Sequence, residues 1–536
     1  MQGKLNEVSE ISRNALAWAG SSPSSILLKM DLADGLSSVP STRSEARTIY
    51  EQIATENPDA PIAARATYNA AFSALQLGAI ADAQRWSEAF AKRFPNDPLT
   101  SDVAYIRAES TLQLGQYESS IHAFEQLIAS QPNDPLRNTW ELRLTVAQFL
   151  AGHFDRSLLL ADELLKRPLD ENARAEVLYL RGASLLKNNR SSDAIDPLNR
   201  SLEVSTNWPQ ADEVFLTLAE AYASSNRPEE ALKTLGGLIQ KLPESRLRAQ
   251  AEFRRAQISA NRADFDQAMK GYDYVLKETK DKALSEFAAF GKAFVFIQQE
   301  QYTEALKLLV PLDTNRQNDS FGNEVRIAKA VCQRQIGQPN QAIETLEELL
   351  NSSATPSQAR KSLYELGLSY ASAKRNEDAI RTLEKYISQT EKEQKGEDEL
   401  LDRAIYELAW AHKLSGDTQK ATDVFQSLVN RFPDSKLAGE ASFHIGQAEY
   451  ESSKFDRAIK AYTVAASKSA DSDLQEKSIY KLGWSFFQQD DFPSAQQQFE
   501  KQKRDFPKGE LILDGQFMIA ECLLKQEKYS EAFTEY

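Results

Sequence analysis

The chain has 536 residues, of which 41% are hydrophobic and 26% charged, and its net charge is −15. That balance excludes a general nucleic-acid binder, because phosphate contacts need a basic surface. No stretch of about 18 apolar residues occurs, which excludes a transmembrane helix. Two cysteines, Cys332 and Cys522, make no disulfide framework and leave the redox compartment open.

The N-terminal stretch MQGKLNEVSEISRNALAWAGSSP lacks the continuous apolar core of a signal peptide and predicts a helix over Leu5 to Ala19. Residues 1–41 read as divergent helices, an N-terminal cap or a degenerate repeat. From residue 42 the chain is periodic. Small residues recur at Ala46, Ala83, Ser120, Ser157, Ala194, Ala231, Ala268, Ala305, Ala342, Ala379, Ala421, Ala458, Ala495 and Ala532, every step being 37 residues except one of 42 after Ala379. Taking these as register marks, position −12 from Ala83 onward is again small, from Ala71 and Ala108 to Gly446, Gly483 and Ala520. Position −15 is large and apolar or aromatic, as in Tyr68, Phe253, Tyr406 and Phe443.

A fixed period in this range is the signature of a solenoid, in which each unit buries its apolar stripe against its neighbours. The stretch 436–467 shows the unit: Phe443, Gly446 and Tyr450 share one helix face, and Phe455, Ala458, Ile459 and Tyr462 share another. Between the two helices stand Gly78, Gly115, Gly152, Gly337 and Gly416, where a positive φ costs glycine little. The expectation is two helices per repeat, meeting where the paired small residues let backbones approach.

An aromatic at +4 (Tyr50, Phe124, Tyr272, Phe425, Tyr462, Phe499, Tyr536) and Pro at +12 (Pro58, Pro95, Pro132, Pro243, Pro433, Pro507) complete the pattern. With the small pair twelve apart, it resembles the tetratricopeptide repeat (TPR), lengthened by three residues over the usual period of about 34. The resemblance covers roughly residues 42–536 and implies an all-α, α-α superhelix of about 13 helical-hairpin repeats. Phrases such as RFPDSKLAGEASF and RFPNDPLTSDVAY are similar to the long-period repeats of bacterial envelope proteins of the BamD and YbgF type. That likeness implies a periplasmic or envelope location, with the cytoplasm still open.

The one break in register, within SQTEKEQKGEDEL, divides the array into a first block at 42–390, a charged insertion at 391–398 and a second block at 399–536. It reads as a long loop or as a hinge, and early proteolysis near Lys395 would select the hinge. The sequence ends at Tyr536, within the second helix of a repeat, which is the pattern expected of a fragment of a longer chain.

Catalytic constellations are absent from this reading. His122, His153, His412 and His444 fall on four different phases of the repeat, and no HExxH, CxxC or phosphate-loop pattern occurs. No catalytic residue, metal ligand or cofactor is expected, and the two cysteines read as small fillers of a packed position.

A repeat array of this kind offers surface. With the core face taken as −15, −12 and −8, the face toward the concave groove carries −18, −14, −11 and −7. In the last four repeats these are Arg403, Glu407, Trp410 and Leu414; Glu440, His444, Gln447 and Glu451; Lys477, Lys481, Trp484 and Gln488; Asp514, Met518, Glu521 and Lys525. Arg403, Trp410, His444, Gln447, Lys477, Lys481, Trp484 and Met518 are the candidate peptide-binding residues, because buried aromatics flanked by charge dominate binding hot spots. A Trp at such a place also packs against the next repeat, and both readings stand. Upstream, position −11 reads Phe72, Glu109, Val146, Ala183, Glu220, Gln257, Phe294 and Val331, with no equal concentration of aromatics.

The expected function is a non-catalytic scaffold that binds peptide or helical segments of other proteins, in bacterial envelope assembly if the loop likeness holds. The alternative is the regulatory or substrate-recruiting arm of a larger enzyme or receptor. On this register Ala342→Leu should destabilise and Glu347→Leu should be nearly neutral.

Overall fold

The computed structural model describes residues 2–19, 24–205, 208–315, 319–351, 354–392 and 400–536. Among these there are 29 α-helices and no strand. Most are 14 residues long, as in Thr100–Gln113, Tyr117–Ser130, Ala438–Glu451 and Phe455–Lys468. Helices follow one another as packed antiparallel pairs, and the register marks are buried in every repeat from Ala46 to Ala532.

One turn closes each first helix from Ala63–Gln76 onward. Position −5 adopts a positive φ in each repeat from Gly78 to Glu527, glycine in five of them and Asn189, Asn226, Ala263, Glu300, Lys374, Ser453, Asp490 and Glu527 in the rest. The next residue's N–H reaches back to the carbonyl of −9, as from Ala79 to Ala74 (2.9 Å), Arg227 to Tyr222 (2.9 Å) and Lys454 to Glu449 (2.8 Å). This 6→1 bond with a left-handed residue before it is the Schellman cap, which satisfies carbonyls left open at a helix end.

The second connection explains the lengthened period. In four repeats Pro at +12 is followed at +14 by Asp or Ser, whose side chain accepts the N–H of Leu at +16. The distances are 2.9 Å for Asp97–Leu99, 2.7 Å for Asp134–Leu136, 3.0 Å for Ser245–Leu247 and 3.1 Å for Ser435–Leu437. In the two serine cases the hydroxyl also donates to an acid at −19 of the same repeat, Ser245 to Asp212 (2.7 Å) and Ser435 to Asp402 (2.6 Å). Glu476 does the same work for a loop with Gly509 at +14, accepting the N–H groups of Glu510 and Leu511. The three extra residues thus form an ordered turn.

The small residue at −12 has a more specific reason than backbone approach. The +4 side chain of the second helix lies over it. A Cβ on Gly446 would stand 2.7 Å from the Tyr462 ring, on Gly483 2.7 Å from Phe499, on Gly367 2.6 Å from Leu383 and on Gly182 2.5 Å from Leu198. The large −15 residue then meets the same +4 ring edge-on, at 5.7 Å in Tyr406–Phe425, Phe443–Tyr462 and Tyr480–Phe499. Aromatic pairs favour this geometry. Backbones do approach at the mark itself, where Ser120 and Ser157 donate to the carbonyls of Ala108 (3.0 Å) and Thr145 (3.2 Å).

The core face is therefore turned from the expected one. In the repeat of Ala421, positions −17, −16, −13, −12 and −10 (Ala404, Ile405, Leu408, Ala409, Ala411) are buried, whereas Tyr406 at −15 and Lys413 at −8 are only half-buried. In this repeat the −15 ring stands half-buried beside the +4 ring, whereas Leu142, Ile327 and Tyr364 at the same position are buried.

Residues 24–56 show why the first repeat hides in the sequence. The helix Ser24–Ser37 packs with Arg43–Glu56 through Met30, Ala33, Ala46, Tyr50 and Ile53. It stands where a first helix belongs, but its −12 position is Asp34, which accepts from the Tyr50 hydroxyl (2.6 Å), Arg65 (2.5 Å) and Asn69 (3.2 Å). Of the charged insertion at 391–398, residues 391 and 392 continue the helix Asn376–Lys392, with Glu391 ion-paired to Arg431 at 2.9 Å; the remainder lies outside the described residues. The chain divides into two compact units, residues 1–267 and 268–536.

Candidate groove site

In residues 268–536 the first helices Leu401–Leu414 and Ala438–Glu451 bring three of the candidates together. Trp410 sits edge-on to the His444 ring at 4.7 Å and to Phe425 at 6.3 Å, and the Lys413 ammonium lies 4.7 Å above its indole. His444 stacks on Phe425 at 5.5 Å, and its Nδ1 accepts from Lys413 Nζ at 3.3 Å. Gln447 shares with His444 the wall of a cleft of about 80 Å³, whose other sides are Lys413, Thr418, Phe425 and Glu451. Trp410 thus packs against the next repeat and is half-buried, outside the lining of that cleft.

Burial holds the His444 imidazole neutral, its pKa pushed down to about 4; the Lys413 charge adds to this, against the opposing pull of Glu440 and a hydrogen bond with Gln447. The acids nearby are engaged. Glu440 bonds to the Tyr406 hydroxyl, whose pKa burial raises, and Glu451 accepts from Gln447 at 3.1 Å. Glu407 is pushed above the usual carboxylate range by burial, with Arg334 opposing and Glu440 adding.

Trp484 forms a second cluster. It contacts Tyr480 and Phe487 at 6.4 and 5.6 Å and packs on the same core as Met518. Met518 is 3% exposed, so its side chain belongs to that core and not to an open surface, because −14 here falls beside the turned core face. Lys481 extends over the Tyr450 ring at 6.0 Å, while Arg403 and Lys477 are exposed. Lys413 escaped the sequence reading because −8 was assigned to the core. Position −15, assigned there too, contributes the half-buried rings of Tyr406 and Tyr480 to the groove edge.

In residues 1–267 one group of these positions forms an ion-pair network. Arg143 binds Glu109 through two bonds of 2.8 Å and lies 3.9 Å from Glu176. Burial works against the Arg143 charge, but bonding to Glu109 outweighs it and raises its pKa. Among the described residues no group of three or more His, Cys, Asp or Glu could hold a metal ion, and no helix is long and apolar enough to cross a membrane.

Comparison with known proteins agrees with this architecture. A profile for a tetratricopeptide repeat-like domain matches residues 200–326, and two profiles for the tetratricopeptide repeat match 403–435 and 68–135, 105–168 and 329–393. No curated protein matches the chain. Among solved structures it is similar to a chain of the APC/C hetero-tetramer Cut9–Hcn1, at 14% identity over 89% of this chain and 94% of that one, with a TM-score of 0.39. It is also similar to a tetratricopeptide repeat protein from Parabacteroides merdae, at 12% identity over 50% of this chain and 98% of the other, with a TM-score of 0.36. Thirteen Schellman turns in register, small residues roofed by the +4 side chain and profile matches along the array lead to one conclusion: this chain belongs to the tetratricopeptide repeat family.

Proposed function

We infer that the protein is a non-catalytic scaffold whose first-helix face binds peptide or helical segments of partner proteins. One observation carries this reading. Among the described residues of the interior repeats, exposed large apolar side chains gather on first helices and their caps, at Phe72, Leu77, Leu114, Leu136, Leu150, Phe287, Phe294 and Leu414, whereas second helices show Leu159 and Val310. Apolar groups left together in water on one face mark an interaction surface. The aromatic clusters around Trp410 and Trp484 supply the rigid anchors such a surface needs.

The test is Trp410→Ala with Trp484→Ala in an otherwise intact chain. The expected outcome is loss of co-purifying partners with an unchanged helical spectrum. Retention of every partner by the folded variant would refute the groove. A role in bacterial envelope assembly is supported by the loop phrases Arg431 to Leu437 and Arg93 to Leu99. Fractionation of the native protein away from the envelope would remove that part.

A further inference from the structure

The hairpin of Leu401–Leu414 and Thr418–Arg431 breaks a pattern that its neighbours keep. Positions −8 and −3 carry paired rings in three other repeats, Phe149–Phe154, Tyr450–Phe455 and Phe487–Phe492, with centroids 5.6, 5.4 and 5.2 Å apart. Here the two positions hold Lys413 and Thr418. A lysine and a threonine do not fill the space of two rings, and the cleft of about 80 Å³ lies against both of them. Its other walls are Phe425, His444, Gln447 and Glu451, with the methyl groups of two alanines and Thr422 between them.

Arg334 is the other cation at position −8, and it meets Glu365, at −14 of the next repeat, at 2.9 Å. Lys413 likewise meets −14 of its next repeat, but that residue is His444, whose Nδ1 accepts from it at 3.3 Å. Burial keeps this imidazole neutral. The half-buried Lys413 ammonium thus has a neutral ring where its counterpart has a carboxylate, and it pairs with no carboxylate among the described residues. A cation held partly out of water stays costly until an anion joins it. Of the acids nearby, Glu407 and Glu440 lie outside the cleft, Glu440 bonded to the Tyr406 hydroxyl, and Glu451 lines it. Glu451 accepts from Gln447 at 3.1 Å and meets no cation among the described residues. On the helix Ala438–Glu451 it stands two turns beyond His444, about 10 Å at 1.5 Å per residue.

The cleft therefore presents a cation beside His444, a carboxylate two turns away, and an apolar floor of Phe425 and methyl groups. The Thr422 hydroxyl already donates to the Thr418 carbonyl at 2.8 Å and keeps its acceptor capacity for a further donor. A volume of about 80 Å³ suits a molecule a few times the size of water, whose share of the liquid is about 30 Å³. We propose that the cleft binds a small free α-amino acid as its zwitterion, with the carboxylate on Lys413, the ammonium on Glu451 and the short side chain on Phe425. Lys413 and Phe425 belong to one repeat and Glu451 to the next, so the bound molecule ties two hairpins together. This goes beyond the partner surface above, does not depend on it, and is tested without a partner protein.

Calorimetric titration of the full chain with L-alanine should give saturable heat, and the melting temperature should rise with L-alanine concentration. Propionate, which lacks the ammonium, and ethylamine, which lacks the carboxylate, should each bind about tenfold more weakly, the loss expected of one charged hydrogen bond. Lys413→Gln and Glu451→Gln, with an unchanged helical spectrum, should each weaken L-alanine about tenfold. Lys413→Phe with Thr418→Phe rebuilds the ring pair of the other repeats; it should remove binding and leave the melting temperature equal or higher. No saturable heat up to about 10 mM L-alanine, equal affinity for propionate or ethylamine, or binding that survives the rebuilt ring pair would overturn the proposal. If the ring pair fails to pack, seen as a lower melting temperature, the two glutamine variants decide, and undiminished binding in both overturns the proposal equally.

Discussion

The two compact units use the same register for opposite ends. In residues 1–267 one set of groove positions is tied together, Arg143 at −14 being held by Glu109 at −11, while Phe72 at −11 stays exposed. In residues 268–536 Arg334 pairs with Glu365 and Lys361 with Glu324, but around Trp410 and Trp484 the matching positions carry rings beside Lys413 and Lys481, which meet no carboxylate among the described residues. Helices, turns and marks are common to both. The difference teaches that architecture in this fold is set at −17, −16, −13, −12 and −10 and at the mark, while the −18, −14 and −11 positions are free to be closed by salt bridges or filled by rings.

The sharpest way to break the comparison is to unpair the first unit. Glu109→Leu leaves Arg143 without its main partner and should cost about 3 kcal/mol, whereas adding Arg143→Leu should bring stability back to within about 1 kcal/mol of the starting chain, since apolar replacement of a whole buried pair is often neutral. Urea unfolding of the single and double variants decides it; equal losses would mean the ion pair does not organise that face.

A smaller effect probes what the units share. Gly446→Ala in the second unit and Gly182→Ala in the first should each cost about 1–3 kcal/mol, because the +4 side chain cannot retreat from the added methyl. Ala342→Leu belongs to the same class. Its companion change needs revision: Glu347 accepts the Tyr370 hydroxyl, so Glu348→Leu is the better neutral control. If Gly446→Ala and Glu348→Leu shift the melting curve alike, the roof over −12 is not what the glycine serves.

Acid should act on the second unit alone through His444. Its folded pKa of about 4 lies below the ordinary 6.5, so protons bind the unfolded chain first. The contribution of neutral His444 is whole above pH 6.5, declines as pH falls, and levels off below about 4. Between pH 7 and 5 the loss should be about 2 kcal/mol. His444→Asn should abolish this slope; an unchanged slope would assign it to other groups. The smallest effect lies in the turns, where Ala263→Gly in the first unit and Lys374→Gly in the second should each add about 0.5–1 kcal/mol by relieving a left-handed non-glycine residue. Calorimetry showing no gain at either would mean the turn carries no strain.

Register was legible because its causes are local and repeated: Ala458 and its equivalents are small wherever backbones touch, and Gly78 or Gly416 marks a turn by its own chemistry. The first repeat was hidden because Asp34 replaces the small residue and is reconciled by three partners distant in sequence, Tyr50, Arg65 and Asn69. Trp410 and His444 were singled out from the wheel, yet their contact with each other through Lys413 was not, since a helical wheel cannot show the half-buried Tyr406 ring edge-on to Phe425. Met518 was misplaced by the turn of the core face.

The uniform Schellman turn has a further consequence for how such a chain tolerates change. Each hairpin carries its own stop signal and its own restart, written within 37 residues, so removing one whole period, for example 306–342, joins Ala305 to Ile343 at equal places in two second helices and leaves every later turn in register. A deletion of any other length moves the small residues and the turn out of register with their partners. Lengthening or shortening by complete modules is thereby the cheapest edit open to this molecule, and reach along a partner can change one hairpin at a time.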